Sequence, residues 1–144
     1  MTAKKRNKDY MPMNMEELME KARAAAEFSY SPYSKFRVGA ALLCKNGEVI
    51  TGTNIENRSF GLTVCAERNA LGTALGKGIT EFEALAVSCP DADYAVSPCG
   101  ACRQVISEFT TDDFPISFQG DKGEVVNRTM SELFPDNALN ELKD

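Results

Sequence analysis

Apolar residues near the start of the chain recur at the spacing of one helix face. Asn14 precedes Glu17 by three residues, which is the arrangement of a helix N-cap with an acidic residue in the first turn. We expect this helix to end near Phe28, because Pro32 in the following loop prevents its continuation. Its predicted buried face consists of Leu18, Ala22, Ala25 and Ala26.

Short apolar runs bounded by turn residues predict strands. The first two runs flank Lys45-Asn46-Gly47, and Asn-Gly is the strongest short-range signal for a β-hairpin. The third run is rich in Ala and Val and ends at the turn Cys89-Pro90-Asp91. The five predicted strands are residues 36–44, 48–53, 82–88, 115–118 and 124–128.

Three further helices are predicted at residues 65–76, at 99–109 and from Thr129 onwards. Pro98 is a favoured first residue for the second of these three. The resulting order α-β-β-α-β-α-β-β-α predicts a mixed sheet that is covered on both faces. We therefore expect the α/β class, as a three-layer α/β/α sandwich with a central mixed five-stranded sheet.

Length and charge narrow the possible functions. The chain has 144 residues, 43% of them hydrophobic, and we expect residues 14–144 to form one domain preceded by a flexible arm at residues 1–13. The net charge of −5 disfavours a phosphate backbone as partner, so the basic run at residues 4–8 is interpreted as a solvated tail and no nucleic-acid partner is expected.

Composition also bears on the cellular location. No apolar run approaches the ~20 residues of a membrane helix, and the first residues lack the apolar stretch of a signal peptide, so no membrane association is predicted. Five cysteines, an odd number, argue against a disulfide framework and favour a reducing compartment. The predicted location is therefore cytoplasmic.

Three thiols fall in two segments that each resemble the first turn of a helix. Cys99 and Cys102 are three residues apart and share a helix face, and Cys65 can add a third thiolate if the two helix starts pack together. Three protein ligands with an open fourth position are typical of a catalytic zinc ion. A structural zinc site would need a fourth Cys or a His, and the chain contains no His.

Glu67 supplies a carboxylate two residues after Cys65. Residues two apart on a helix point to nearly opposite sides, so Cys65 must lie at the cap if both are to face one metal ion. A carboxylate beside such a metal is placed to accept and pass on a proton. Zinc held by three cysteines, a non-ligand Glu and a P-C-x-x-C run are the pattern of zinc-dependent base deaminases.

At these residues the sequence resembles the cytidine deaminase family. The matching segments are Cys65-Ala66-Glu67-Arg68 and Pro98-Cys99-Gly100-Ala101-Cys102-Arg103-Gln104. Residues 33–42 and 52–57 resemble the same family. The resemblance covers roughly residues 14–136 in one unbroken order, which a chance match to a motif would not do.

The resemblance implies an enzyme of pyrimidine salvage that hydrolytically deaminates cytidine and 2′-deoxycytidine to uridine and 2′-deoxyuridine, with one zinc ion per chain. By this resemblance Cys65, Cys99 and Cys102 would hold the zinc ion. Glu67 would transfer protons during the reaction. Arg68 would hydrogen-bond the thiolates and balance their charge.

The resemblance also implies a set of substrate-binding residues. Asn54 and Glu56 would hold the ribose hydroxyls, although their spacing alone is more typical of an ordinary strand end. Phe36 would stack on the pyrimidine, whereas without the resemblance it would be interpreted as a core aromatic. The backbone around Ala66 and Ser97 would hydrogen-bond the edge of the base.

Three residues outside this set can also be interpreted from the sequence. Arg103 is left between two interpretations, a helix-surface residue and an interface residue. Cys44 and Cys89 are expected to pack as small hydrophobic side chains.

Short chains of this family form homotetramers in which neighbouring subunits close each pocket, and this length fits that class. In the family a neighbour's aromatic residue follows a Leu-Leu-Pro stretch near the C-terminus. Here the stretch reads Leu133-Phe134-Pro135 and the aromatic position holds Ala138, so we expect a weaker contact from the neighbour. Phe60 is a second candidate contact across the interface.

Other functions compete with this one. A nucleic-acid-editing deaminase would share the zinc and Glu67 but needs a basic, aromatic channel, which the acidic composition disfavours. A blasticidin-type deaminase would leave Asn54 and Glu56 without a clear purpose. A structural zinc module would need a fourth ligand, and a redox pair in the Cys-x-x-Cys run would leave Cys65 unexplained.

Overall fold

The computed structural model describes residues 14–143, so the predicted arm at residues 1–13 lies outside the described residues. The first helix, α1, spans Met15–Ala26, and the side chain of Asn14 caps it by accepting the backbone N–H of Glu17 at 2.8 Å. The helix ends two residues earlier than predicted. Phe28 consequently lies outside it and is 83% exposed.

The five strands form one mixed sheet, as predicted. Their order across the sheet is β2-β1-β3-β4-β5, with β3 and β4 parallel and the other neighbours antiparallel. The predicted first strand began too early, because the backbone N–H of Val38 bonds the side chain of Asn54 instead of a neighbouring strand. The strands are β1 (Gly39–Cys44), β2 (Val49–Thr53), β3 (Phe82–Ser88), β4 (Pro115–Gln119) and β5 (Val126–Thr129).

Helices cover both faces of this sheet. Helix α1 packs on one face, while α2 (Ala66–Gly76) and α3 (Gly100–Phe109) pack on the other. Successive residues of β1 are buried alternately in the two cores, because side chains alternate between the faces of a strand. The core beneath α1 includes Ala41 and Leu43, and the opposite core includes Ala40 and Leu42. The predicted three-layer α/β/α sandwich is confirmed.

The C-terminal part adds a short helix, α4 (Met130–Leu133), which begins with a capping box between Thr129 and Glu132. Two 3₁₀ helices, Phe60–Leu62 and Ala138–Leu142, were not predicted, since segments this short show no hydrophobic period. Within residues 14–143, no helix has both the length and the apolarity needed to cross a membrane.

Gly52 on β2 lets the start of α2 approach the sheet closely. A Cβ atom added at Gly52 would lie 2.5 Å from the carbonyl oxygen of Ala66, a distance that no side chain tolerates. Only glycine permits this contact between backbone and backbone. The first turn of α2 is therefore held directly against the edge strand, and this turn carries the residues of the candidate site.

Candidate functional site

Two helix N-termini present the clustered cysteines. Cys65 is the N-cap of α2 and has extended backbone angles (φ −70°, ψ 155°), so the position required for Glu67 to face the same metal is confirmed. Cys99 is the N-cap of α3, and its Sγ accepts the backbone N–H of Cys102 at 3.5 Å. The prediction that Pro98 is the first helical residue is wrong, because Cys99 takes the capping position and Pro98 precedes it.

The three thiols have the spacing of a zinc site. The Sγ atoms of Cys65, Cys99 and Cys102 lie within 4.8 Å of one another, and those of Cys65 and Cys99 are 3.8 Å apart. Sulfur ligands placed ~2.3 Å from a tetrahedral zinc ion are about 3.8 Å from one another. Across residues 14–143 no other group of three metal-ligating side chains meets in this way. The donor set and its spacing therefore fit zinc.

The pKa values of two of the thiols are shifted by their contact with each other. The pKa of Cys65 is lowered to about 5, first because the thiol of Cys102 donates to its sulfur and then because Arg68 does so. The same contact raises the pKa of Cys102, which burial raises further. The two shifts have opposite directions because Cys65 and Cys102 share one hydrogen bond. A dication bound by both sulfurs would favour the thiolate form of Cys102 as well.

Arg68 is committed to this cluster. Its Nη2 lies 3.4 Å from the Sγ of Cys65, and hydrogen bonds to Cys65 and Cys102 raise its pKa. Its Nε is buried without a hydrogen-bond partner among the described residues. Three thiolates and one Zn²⁺ leave a net charge of −1, which a guanidinium at this distance offsets. The structure thus brings Arg68 into contact with the thiols, and its role in balancing their charge stays a prediction.

Glu67 follows the Cys65 cap and lies in the first turn of α2. Its side chain is only 4% exposed, and burial raises the pKa of its carboxyl above the ordinary value. The neighbouring Cys65 thiolate raises that pKa further. A buried carboxyl with a raised pKa is suited to exchange protons near neutral pH.

A pocket of about 180 Å³ opens in front of Glu67, Cys65 and Cys99. Four of the five predicted substrate-binding residues line it, namely Phe36, Asn54, Ala66 and Ser97. The fifth, Glu56, is not part of the lining. A pocket of this volume can hold a single heterocyclic ring.

Five further residues line the pocket without having been predicted, and they are Val38, Thr63, Val87, Cys89 and Val96. Val87 and Cys89 lie at the carboxyl end of β3, which is where ligands bind in open α/β sheets. Their position at the end of a predicted strand could therefore have identified Val87 and Cys89 as pocket residues from the sequence. Cys44 and Cys89 are both buried in the core, as expected of small hydrophobic side chains, and burial raises the pKa of the Cys89 thiol to about 12.

Asn54 organises one wall of the pocket. Its Oδ1 accepts the backbone N–H of Val38 at 2.9 Å and the hydroxyl of Ser29, and its Nδ2 donates to the carbonyl of Phe36 at 2.8 Å. The side chain is 8% exposed. Asn54 therefore holds the segment that presents Phe36, and one N–H of its amide is left for a ligand among the described contacts.

Glu56 holds the adjoining loop. Its carboxylate accepts the backbone N–H groups of Tyr33 at 3.0 Å and of Ser34 at 3.1 Å, and also the Ser34 hydroxyl. The hydroxyl bond is the main cause that lowers the pKa of Glu56. The carboxylate thus stays ionised, and the loop that it fixes leads directly into Phe36.

An ion pair that the sequence pattern did not reveal joins two loops around the pocket. Asp91 accepts the backbone N–H of Arg37 at 2.8 Å and its guanidinium at 2.9 and 3.1 Å, and Glu27 accepts from the same guanidinium at 3.0 Å. Arg37 lowers the pKa of Asp91 through its side-chain hydrogen bond. This clamp connects the segment that follows Phe36 with the loop that follows Cys89.

Comparison with known proteins finds one matching family profile and several similar relatives. Residues 12–118 match the family profile described as the cytidine and deoxycytidylate deaminase zinc-binding region. A cytidine deaminase of Sporosarcina psychrophila is 46% identical over 123 residues, which cover 85% of this chain and 90% of the relative. A blasticidin-S deaminase of Bacillus cereus is 37% identical over 126 residues, covering 83% and 88% respectively.

The fold has a similar solved counterpart. The crystal structure of a cytidine deaminase from Burkholderia pseudomallei superimposes with a TM-score of 0.82 at 43% sequence identity. The match covers 86% of this chain and 98% of that chain, so the two folds are alike over most of their length.

Proposed function

The chain belongs to the family of the cytidine and deoxycytidylate deaminase zinc-binding region, and from this premise we propose that it hydrolyses both cytidine and 2′-deoxycytidine. Water replaces the exocyclic amine, giving uridine or 2′-deoxyuridine and ammonia. As a member of this family the chain is a zinc-dependent hydrolase of C–N bonds. Uridine production from cytidine fits a role in pyrimidine salvage.

The observation that carries the proposal is the buried carboxyl of Glu67 beside three thiols at the end of a small pocket. Cys65, Cys99 and Cys102 would hold zinc, which when bound activates water as a Lewis acid. Glu67 is the proposed catalytic residue. Its carboxylate takes a proton from the attacking water, delivers that proton to N3 of the pyrimidine and then helps to protonate the departing amine.

The walls of the pocket supply the proposed recognition of the substrate. Phe36 stacks on the pyrimidine, and the backbone around Ala66 and Ser97 hydrogen-bonds the edge of the base. Asn54 uses its remaining amide N–H for a ribose hydroxyl, and Glu56 accepts from ribose in exchange for its bond to the Ser34 hydroxyl. Burial of Asn54 at the pocket surface supports its part of this assignment.

Residues 14–144 are proposed as one catalytic domain, with residues 1–13 as an arm outside it. All five cysteines are free in the structure. Free thiols in a zinc site need a reducing compartment, which supports the cytoplasm as the place of action.

The test of this function is the ultraviolet absorbance of cytidine and 2′-deoxycytidine incubated with the purified, zinc-replete protein. We expect the cytidine band to disappear with zinc and to persist after treatment with a chelator. Persistence of both bands with folded, zinc-loaded protein would contradict the proposal.

Blasticidin S is a second candidate substrate for one specific reason. The sequence argument against it was that Asn54 and Glu56 would lack a purpose, but both side chains hold the Phe36 segment in the structure. Blasticidin S therefore belongs in the same assay. The greater similarity to the Sporosarcina psychrophila cytidine deaminase, at 46% against 37% identity, keeps cytidine first.

Asn54→Ala is expected to raise the KM for cytidine about tenfold, because it removes a ribose donor and loosens the segment around Phe36. The measurement compares cytidine with 3′-deoxycytidine. If Asn54 binds the 3′-hydroxyl of the ribose, the KM values for cytidine and 3′-deoxycytidine become similar in the variant. An unchanged ratio of KM values would refute the ribose contact. Asn46→Ala, in the exposed hairpin turn, is the matched control and should behave like the wild type.

The chain is proposed to form a homotetramer through an apolar surface beside the pocket. Phe60 is 74% exposed and its ring contacts Tyr33 at 6.0 Å between centroids, while Ile55 is 49% exposed and pairs with Tyr30. Exposed apolar side chains that cluster in this way are typical of contacts between proteins. Light scattering should give four times the 15.8 kDa of one chain, and Phe60→Ser should lower that mass.

A matched control for the assembly is Tyr94→Ser, which removes a 64% exposed side chain in the loop that follows β3. It should leave the mass unchanged. A wild-type mass of one chain at assay concentrations would disprove the tetramer.

A further inference from the structure

Arg103 occupies an electrostatically unfavourable position in the first turn of α3, directly after Cys102. The N-terminus of a helix carries partial positive charge, so a cation there is disfavoured. Helical side chains lean toward the N-terminus, and the Arg103 guanidinium accordingly reaches back past the cap at Cys99. The side chain must find specific acceptors to offset this placement.

The guanidinium has three such acceptors. Nε donates to the carbonyl of Pro98 at 2.8 Å, Nη2 to the hydroxyl of Ser97 at 2.9 Å, and Nη1 to the carbonyl of Leu133 at 2.7 Å. Because the guanidinium is planar and rigid, these three bonds fix the acceptors relative to one another. A lysine ammonium on its flexible stem could not hold them in the same geometry.

These contacts tie the pocket wall to the core of the domain. Ser97 and Cys99 line the pocket, and Pro98 between them has no backbone N–H with which to anchor the segment. Leu133 is the buried last residue of α4. The carbonyl of Pro98 and the hydroxyl of Ser97 are therefore held, through one side chain, to the end of a packed helix.

We propose that Arg103 is a positioning residue that sets the pocket wall at residues 97–99. It holds Ser97 against the base and keeps Cys99 aligned with the other two thiols. The substrate part of this inference rests on the proposed function. The part that concerns Cys99 rests on the thiol cluster alone.

The test compares Arg103→Met with Arg128→Met. Arg128 also donates to a backbone carbonyl, that of Asn127 at 2.8 Å, but lies exposed on β5 away from the pocket. Arg103→Met is expected to raise the KM for cytidine about tenfold with a smaller change in kcat, and to speed zinc transfer to a chromogenic chelator about tenfold. Arg128→Met should match the wild type in both, and Arg103→Lys should fall between.

Wild-type KM and zinc-release rates in Arg103→Met would overturn the proposal even if its melting temperature falls, because Arg103 would then only stabilise the contact between α3 and α4. If that variant does not fold, Ser97→Ala decides the question, since it removes one bond and keeps two. We expect about threefold changes in the same two quantities, and no change would overturn the proposal. If the wild type does not turn over cytidine, the proposed function fails while zinc release still tests Arg103.

Discussion

Glu67→Gln is expected to keep the fold and the bound zinc but to lower kcat for cytidine by ~10³-fold or more. The amide has nearly the shape of the carboxyl but cannot take up or release a proton. The fold should persist because the side chain is 4% exposed and burial already raises the pKa of the carboxyl, so a neutral group is easier to bury. The measurement combines steady-state rates with elemental zinc analysis.

The raised pKa of Glu67 also predicts how the metal-free protein responds to pH. The native state binds more protons than the unfolded state between the two pKa values, so stability falls as the pH rises through that interval. The Glu67→Gln variant does not lose stability in this way, because glutamine does not titrate. The metal-free variant should therefore melt no lower than the metal-free wild type at neutral pH.

Glu108→Gln, on the exposed surface of α3, is the matched control and should keep wild-type kcat. A kcat for Glu67→Gln within tenfold of the wild type, with zinc bound, would remove this carboxyl from the mechanism. Loss of zinc from Glu67→Gln would instead assign Glu67 a part in holding the metal.

Cys102→Ala is expected to reduce zinc from one ion per chain to nearly none after desalting, and activity with it. Only two thiolates would remain, and the site would lack the third protein ligand that a catalytic zinc ion needs. Elemental analysis and the cytidine assay measure the two losses. One zinc ion per chain in this variant would contradict the ligand set.

Cys44→Ala provides the matched control for this loss. Cys44 is also buried in the core but lies outside the thiol cluster. This variant should lose some thermal stability, as core truncations do, and keep its zinc. A fall in melting temperature that Cys44→Ala and Cys102→Ala share is then the effect of the cavity. The difference in their zinc content is the effect of losing a zinc ligand.

The chemistry of the site was predictable where it depends on residues close in the chain. The spacing of Cys65 and Glu67 required Cys65 to be a helix cap, and the structure places it there. Likewise, Cys99 and Cys102 meet because one is the cap and the other lies in the first turn of the same helix. The error at Pro98 was also local, since a cysteine Sγ is not among the common capping groups.

Contacts between distant segments escaped the sequence pattern. Asn54 and Glu56 are spaced like a ligand-binding pair, but only the structure shows that they also hold the backbone of residues 33–38. Arg37 and Asp91 are 54 residues apart and meet only after β1 has paired with β3. No periodicity or motif predicts such an ion pair, because tertiary packing determines which residues meet.

The sequence by itself determined the donor set of three thiols and one carboxylate, the mixed sheet and the helices on which these groups lie, because capping, strand alternation and ligand spacing are local properties of the chain. The tertiary structure alone decided that the two helix starts lie side by side, that Val87 and Cys89 close the pocket, and that Arg103 joins its wall to α4. These relations follow from how helices pack on the sheet, which depends on residues distant in sequence.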